Sequence, residues 1–298
     1  MQGPGTPSLD QLKTFLTVVE TGSFAAAGRK LGRATSAISY AIANLESQLG
    51  VALFDRESTR KPVLTEAGNA VLSEACAVNS GIDHLLAKVR GLLSGLEAEV
   101  ALAVDIMLPT ERLVDAMRAF EAEFPTVSLR LHVEALGAVT QLVRDGVATI
   151  GISGPLDVRI AEIETSQIGG VELVPVAAPS HPLAQNRINV PGAAREHVQL
   201  VLSDRSSLTE GRDFGVIATR SWRMADLSTK HALLLAGIGW GNMPEPMVRE
   251  DLAAGRLTRL DIPEWRGGAY VFQAIHRTDT PPGPAAAWLI KRFSGQSA

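Results

Sequence analysis

A chain of 298 residues has room for two or three compact units, and 46% hydrophobic with 20% charged residues is an ordinary globular composition. No run of about 18 apolar residues occurs, so no transmembrane helix and no membrane partner are expected. The start MQGPGTPSLDQL lacks a basic segment leading into an apolar core, so a secretory signal is not expected either. The single cysteine, Cys76, excludes an intramolecular disulfide and fits a reducing cytosol. A formal net charge of -4 gives no global pointer to nucleic acid, so charge has to be read locally.

Residues 9–20, LDQLKTFLTVVE, set Leu9, Leu12, Phe15, Leu16 and Val19 at helical spacing along one apolar face. Gly22 ends that helix. Ser23 then offers a hydroxyl to a free backbone N–H at the start of a second helix, FAAAGRKL, whose alanines let a partner approach closely. Gly32 falls just past its end, where a positive φ is usual. A third helix runs from about Thr35 to Leu49, with Ile38, Ile42, Leu45 and Leu49 as its buried stripe. Ser36, Ser39, Tyr40 and Asn44 fall largely outside that stripe. Two helices joined by three or four residues near a glycine read as a helix-turn-helix, whose second helix enters the DNA major groove. Short hydroxyls there bond bases or phosphates, and Tyr40 can stack on sugar or bond a phosphate. The competing reading is that any three-helix bundle has such a polar face.

Val51 to Gly68, VALFDRESTRKPVLTEAG, has apolar Val51, Leu53 and Phe54, a polar tip, then Val63 and Leu64, the pattern of a short β-hairpin wing. The tip carries Arg56, Arg60 and Lys61, and the helix-turn-helix adds Arg29, Lys30 and Arg33. Residues 1–64 hold seven bases against five acids on an otherwise acidic chain, which suits phosphate contact without general stickiness.

The stretch LDQLKTFLTVVETGSFAAAGRKLGRATSAISYAIANLESQLGVALFDR, followed by LTEAG, resembles the LysR-type transcriptional regulators in order and spacing. The resemblance implies that Thr35, Ser36, Ser39 and Tyr40 hold the DNA-reading positions and that Arg56 is a wing arginine entering the minor groove. The candidate DNA-binding side chains are thus Ser23, Arg33, Thr35, Ser36, Ser39, Tyr40, Asn44, Arg56, Arg60 and Lys61. This chain departs from the family where Thr35-Ser36 replaces a common Gln-Pro and Tyr40 a common basic residue, so its base preference is expected to differ.

From Thr65 an apolar period, including Val71, Leu72, Val78, Ile82, Leu85, Leu86, Val89 and Leu92, persists over about 28 residues and calls for a coiled-coil-like partner. The resemblance makes this a linker helix that pairs with its twin, giving a homodimer and favouring a homotetramer, with RNA polymerase as a further candidate partner. With no second cysteine to resolve an oxidised form, Cys76 reads as a small packing residue rather than a redox switch.

After Ser94-Gly95, strand-like EVALAVDI (99–106), a helix at 110–124, a strand at 127–134, a helix at 137–148 and a strand at 149–153 alternate, which predicts a parallel sheet. A second set follows: strands ETSQIG and VELVPVAAP, SHPLAQ, a strand at 197–204, the segment FGVIATR, the helix DLSTKHALLLAG and the run IGWGNMPEPMVREDLAAGRL. AYVFQAIHR and PAAAWLIKRF supply a strand and helix able to return to the first set. Two α/β lobes with two chain crossings resemble the periplasmic-binding-protein fold, which the LysR family uses to sense effectors. The expected fold class is α/β with an all-α-plus-wing N-terminal domain. Its divisions are a winged helix-turn-helix over 1–64, a linker helix over 65–95, one lobe over 96–163 and 270–298, and the other over 164–269.

Ligands in open α/β sheets bind beyond the carboxyl ends of the strands. That rule selects Asp105, Met107, Thr110, Glu134, Ser153, Ser203, Asp204 and Asp226 as candidate effector-binding residues. Many relatives have a small Ser/Thr-rich turn where this chain has DIMLPT, which favours an apolar or aromatic effector over a simple carboxylate. The alternative is that Asp105 caps a helix and Met107 packs core.

The runner-up class is an enzyme or transport-type binding protein on the two lobes, without a role on DNA. Gly237-Ile238-Gly239-Trp240-Gly241 follows a helix rather than a strand, which fails the dinucleotide fingerprint. The six histidines show no close metal-ligand spacing, and no GxSxG elbow or Walker loop is present, so no cofactor, metal or catalytic residue is expected.

Overall fold

The computed structural model describes residues 5–55, 62–93, 95–155, 160–185, 190–204, 206–209, 214–265 and 268–295. The chain divides into two compact units, residues 1–90 and 91–298.

The first unit begins with α1 (Leu9–Thr21), α2 (Phe24–Leu31) and α3 (Thr35–Leu49). Ser8 and Gln11 form a capping box at the start of α1, and Gly22 at φ 65 ends it. Ser23 caps α2 by accepting from the Ala26 N–H at 3.4 Å. A Cβ on Gly28 would lie 2.7 Å from the Arg33 carbonyl oxygen, so the close approach of α2 to the turn before α3 requires glycine. The expected stripes largely meet in one core of Phe15, Val18, Ala27, Ile38, Ile42, Leu45, Leu53, Phe54 and Ala75, with Leu12, Leu16, Val19 and Leu49 partly buried against it, while Leu9 is exposed. Phe54 and Leu64 pair antiparallel at the root of the wing, and Glu46 of α3 accepts from the Leu53 and Phe54 N–H groups at 2.7 and 3.2 Å. Arg56, Arg60 and Lys61 fall outside the described residues.

Helix α4 (Glu66–Leu93) runs for 28 residues. Its first turn seats on the wing strand, where a Cβ on Gly68 would meet the Leu53 carbonyl oxygen at 2.1 Å. Farther along, Val78, Leu85, Leu86, Val89 and Leu92 are exposed, Leu85 at 54%. Cys76 is exposed too, so within its own chain it does not pack as expected.

In the second unit, β1 (Glu99–Asp105), α5 (Thr110–Glu123), β2 (Ser128–Glu134), α6 (Gly137–Arg144) and β3 (Ile150–Ser153) alternate, and β1 pairs in parallel with both β2 and β3. The two strands expected next are one, β4 (Ile163–Ala177), bulged between Gln167 and Gly170. Gly169 there has φ 100, which explains why the glycines looked like a break. Then come α7 (Pro182–Gln185), β5 (Gln199–Leu202), β6 (Ser221–Met224), α8 (Leu227–Leu235), β7 (Gly241–Pro244), α9 (Glu245–Ala253), β8 (Thr258–Arg259), β9 (Gly268–Arg277) and α10 (Pro284–Phe293).

The main sheet has the order β2-β1-β3-β9-β4-β7, with β8 pairing β4. It is mixed rather than parallel. Strand β9 returns from the second lobe and runs antiparallel to β3 and β4, while β7 and β8 run antiparallel to β4. Strands β5 and β6 pair in parallel and join the end of β7 through a Gln199–Trp240 bridge. Strands β4 and β9 therefore carry the chain between the lobes. Helix α10 returns to the first lobe and packs Trp288 edge-on to Phe124 at 5.6 Å. The Gly237–Gly241 run serves packing: Cβ atoms on Gly239 and Gly241 would lie 2.5 and 2.7 Å from carbonyl oxygens of Val198 and Leu200. No helix among the described residues is long and apolar enough to cross a membrane.

Candidate functional site

The outward face of α3 carries Thr35, Ser36, Ser39 and Tyr40, all exposed, with Tyr40 at 70%. Asn44 is half-buried farther along. The helix begins at Ala34 with no side-chain cap, unlike α1 and α2, so its first N–H groups are unclaimed by a capping side chain. Arg33 is not a free cation: its guanidinium forks onto both Asp10 oxygens at 2.7 and 2.8 Å, tying the turn to α1. That pairing holds the Asp10 carboxyl below its usual range. Lys30 pairs with Glu20, whereas Arg29 has no ion-pair partner among the described residues. Ser23 spends its hydroxyl on the α2 cap.

The strand-end residues expected around a ligand are distributed differently. Asp105 is buried, and its carboxylate accepts from the Met107 N–H at 2.8 Å, the Leu136 N–H at 2.9 Å and the Tyr270 hydroxyl at 2.8 Å. Burial raises its pKa against the pull of those donors. Ser153 is buried with its hydroxyl beside Thr140 and the Gly154 carbonyl. Asp204 accepts from the Gly137 N–H at 2.8 Å, from Ser206 and from Thr209, which joins the second lobe to the start of α6 in the first. Asp226 caps α8 through the Thr229 N–H at 2.6 Å. Thr110 is exposed at the start of α5, Glu134 is half-buried at the end of β2, and the Ser203 N–H bonds Met224. Strand-end polar groups here mostly satisfy backbone donors rather than facing a cavity.

A cavity of about 330 Å³ does lie between the lobes. Of the eight expected residues only Met107 lines it. The rest of the wall comes from Leu136, from Leu173 and Tyr270 on the crossing strands, from Gln199–Leu202 of β5, and from Lys230, Asn242, Phe214 and Trp265. Three lining residues are fixed from behind by Asp105, because Met107, Leu136 and Tyr270 all bond to it. Leu136 holds φ 40, the only non-glycine with positive φ among the described residues, so backbone strain sits at the cavity wall. Asp105→Asn would set an amide N–H against one of those three donors. It should cost about 1–3 kcal/mol of stability while leaving the ranking of ligands unchanged. Thermal melts with a ligand series check this; a changed ranking at unchanged stability would contradict it.

Polar groups on the cavity wall differ in how well they are satisfied. Gln199 donates to the Gly215 carbonyl and accepts from Ile217 and Ala218. The Asn242 Oδ1 and the Trp265 Nε1 are buried without a hydrogen-bond partner among the described residues. Lys230 is 3% exposed and donates to the Asn242 carbonyl at 2.7 Å, and no carboxylate among the described residues pairs with it. A readable signal existed: in LSTKHALLLAG, Lys230 lies three residues after Leu227 and four before Leu234, on the face both leucines bury.

Burial lowers the Lys230 pKa from 10.5 to about 8. Between those values the unfolded chain holds the proton and the folded chain does not, so this lysine's penalty is full below pH 8 and relieved as pH rises toward 10.5. The span corresponds to about 3 kcal/mol. Denaturant titrations of Lys230→Met and the parent should show the variant's relative stability highest at pH 7 and declining toward pH 10. A pH-independent difference would mean that the ammonium is not desolvated.

A winged helix-turn-helix with a polar outer helix face, followed by a long helix and a two-lobed unit with a cleft, defines a DNA-binding regulator that responds to a ligand. The chain matches the family described as bacterial regulatory helix-turn-helix protein, lysR family, over residues 9–69, and the LysR substrate binding domain over residues 94–297. It belongs to the LysR-type transcriptional regulators, a family of ligand-responsive DNA-binding proteins and not of enzymes. It is 28% identical to the probable HTH-type transcriptional regulator YhaJ of Escherichia coli K12, across 96% of this chain and 95% of that protein. It is 31% identical to the HTH-type transcriptional activator AllS of Klebsiella pneumoniae, across 83% and 93%. The full-length LysG of Corynebacterium glutamicum, solved with its effector Arg bound, shares the fold at a TM-score of 0.52 and 20% identity, across 97% of each chain. An OxyR of the same organism does so at 0.54 and 21%, across 97% and 91%.

Proposed function

We infer that this regulator acts in the cytoplasm, reads a two-fold-related operator with α3 and the wing, and is held as a homodimer, and in turn a homotetramer, through α4. The observation that carries this reading is the outer face of α3, where hydroxyls, an unpartnered tyrosine and an uncapped helix start lie together above a fully buried inner face. Thr35, Ser36, Ser39 and Tyr40 lie near base edges, and Asn44 extends that face. Arg56, Arg60 and Lys61 take phosphates or the minor groove. Arg33, forked onto Asp10, shapes the turn before it meets a phosphate. A small, largely apolar or aromatic effector occupies the cleft between the lobes and changes how paired DNA-binding units are spaced. RNA polymerase is the expected contact once the complex is on its promoter. Gel retardation with DNA from around the protein's own gene tests the reading: a discrete complex should survive excess unrelated DNA, and a complex that the unrelated DNA removes equally well would overturn it.

A further inference from the structure

We propose that the effector is an organic acid: a small ring-bearing or apolar molecule whose carboxylate pairs with the Lys230 ammonium and whose hydrogen-bond groups engage Trp265 and Asn242. The inference rests on the reading that the interlobe cleft is the effector site, and it names the ligand's chemistry.

Three unmet demands on one cavity wall point to it. An ammonium with a single carbonyl acceptor has two N–H groups left to place, and in an apolar surround an uncompensated charge is a standing penalty. Lys230 has no carboxylate partner among the described residues, and a bound carboxylate would supply its counter-charge. Among the described residues, Asn242 Oδ1 is an acceptor without a donor and Trp265 Nε1 a donor without an acceptor. Gln199 and Tyr270, by contrast, are spent on the protein itself. Around these groups Met107, Leu136, Leu173, Leu200 and Phe214 offer only apolar contact. A ligand that fits has an apolar body, one anionic end and one donor. Among the described lining residues Lys230 is the one cation, which matches a single carboxylate.

The apolar half of the expectation drawn from DIMLPT is kept, and its preference against a carboxylate is reversed. That turn contributes Met107 to an apolar wall, but the anion's partner comes from α8 in the other lobe.

The test is calorimetric binding of the full-length protein to a panel of aryl and alkyl monocarboxylates, phenylacetate and 4-hydroxyphenylacetate among them, each beside its neutral primary amide. At least one acid should bind, and its amide should bind at least about 10-fold more weakly, as loss of a charge-assisted bond predicts. Lys230→Met should weaken the acid by about 10-fold or more and erase the preference over the amide. Trp265→Phe removes one N–H and leaves the lysine in place, so it keeps the test decisive if Lys230→Met fails to fold; it should weaken the acid several-fold. The inference is overturned if no acid of the panel binds, if amides bind as tightly as acids, or if both substitutions leave acid binding unchanged. Operator binding without added ligand is a separate readout. Its loss would strike the regulator reading, while its persistence beside failed acid binding would strike only this one.

Discussion

Leu85→Asp should give a monomer that has all but lost its operator. Leu85 is 54% exposed on α4, in a row with Val78, Leu86, Val89 and Leu92, all exposed among the described residues. A stripe of this length left in water is an association surface, and α4 carries the period that a paired helix needs. An aspartate at its centre would be buried without a partner in each copy of a dimer, a penalty of several kcal/mol. The fold of the first unit should survive, because Leu85 lies outside its core. Once the pair is lost, each helix-turn-helix meets only a half-site, and operator affinity should fall by about 100-fold or more. Sedimentation and retardation measure the two effects. An unchanged oligomer after Leu85→Asp would sink the dimer assignment.

Tyr40→Ala and Ser39→Ala should change which operator variants are preferred, each removed bond to a base edge costing about 1–3 kcal/mol. Both residues are exposed on the outer face of α3, and the buried stripe Ile38, Ile42 and Leu45 lies opposite, so the fold has no stake in either side chain. Arg29→Ala should behave differently. As an exposed cation without an ion-pair partner among the described residues, it is placed for phosphate, and its removal should weaken all sequences alike and flatten the salt dependence. Selections from a randomised operator separate the two patterns. If the alanine variants at 39 and 40 select the same sequences as the parent, with equal affinity, the recognition face has been put in the wrong place.

The two halves of the molecule were unequally legible. In the first, the signals are local. Ser23 caps within its own turn, Gly22 and Gly32 adopt the positive φ their positions demand, and the apolar stripes of α1 and α3 close on each other through short links. In the second, most strands, the parallel pairing of the first set and the return of β9 to it were expected, but β6, β8 and the antiparallel direction of β9 were not. Periodicity says nothing of direction, and β9, far along the chain, enters antiparallel between β3 and β4. The ligand cavity was least legible. The strand-end rule assumes a parallel sheet whose loops stay open to a ligand, whereas here Asp105, Ser153 and Asp204 turn their polar atoms onto backbone N–H groups, a hydroxyl and a carbonyl. The wall is instead assembled from β5, α8, β7 and the two crossing strands, which are distant in sequence and meet only in the fold. Lys230 went unread in the sequence, although it lies on the face of α8 that Leu227 and Leu234 bury.

On the function proposed, a paired, sequence-reading surface on the first unit does the work on DNA. Protection footprinting of the full-length chain on DNA around its own gene tests this directly. The predicted result is two protected half-sites related by two-fold symmetry, in phase on one face of the duplex about one helical turn or a multiple apart, and weakened by Tyr40→Ala. Even protection along the DNA that fades uniformly with salt, or none at all, would contradict it.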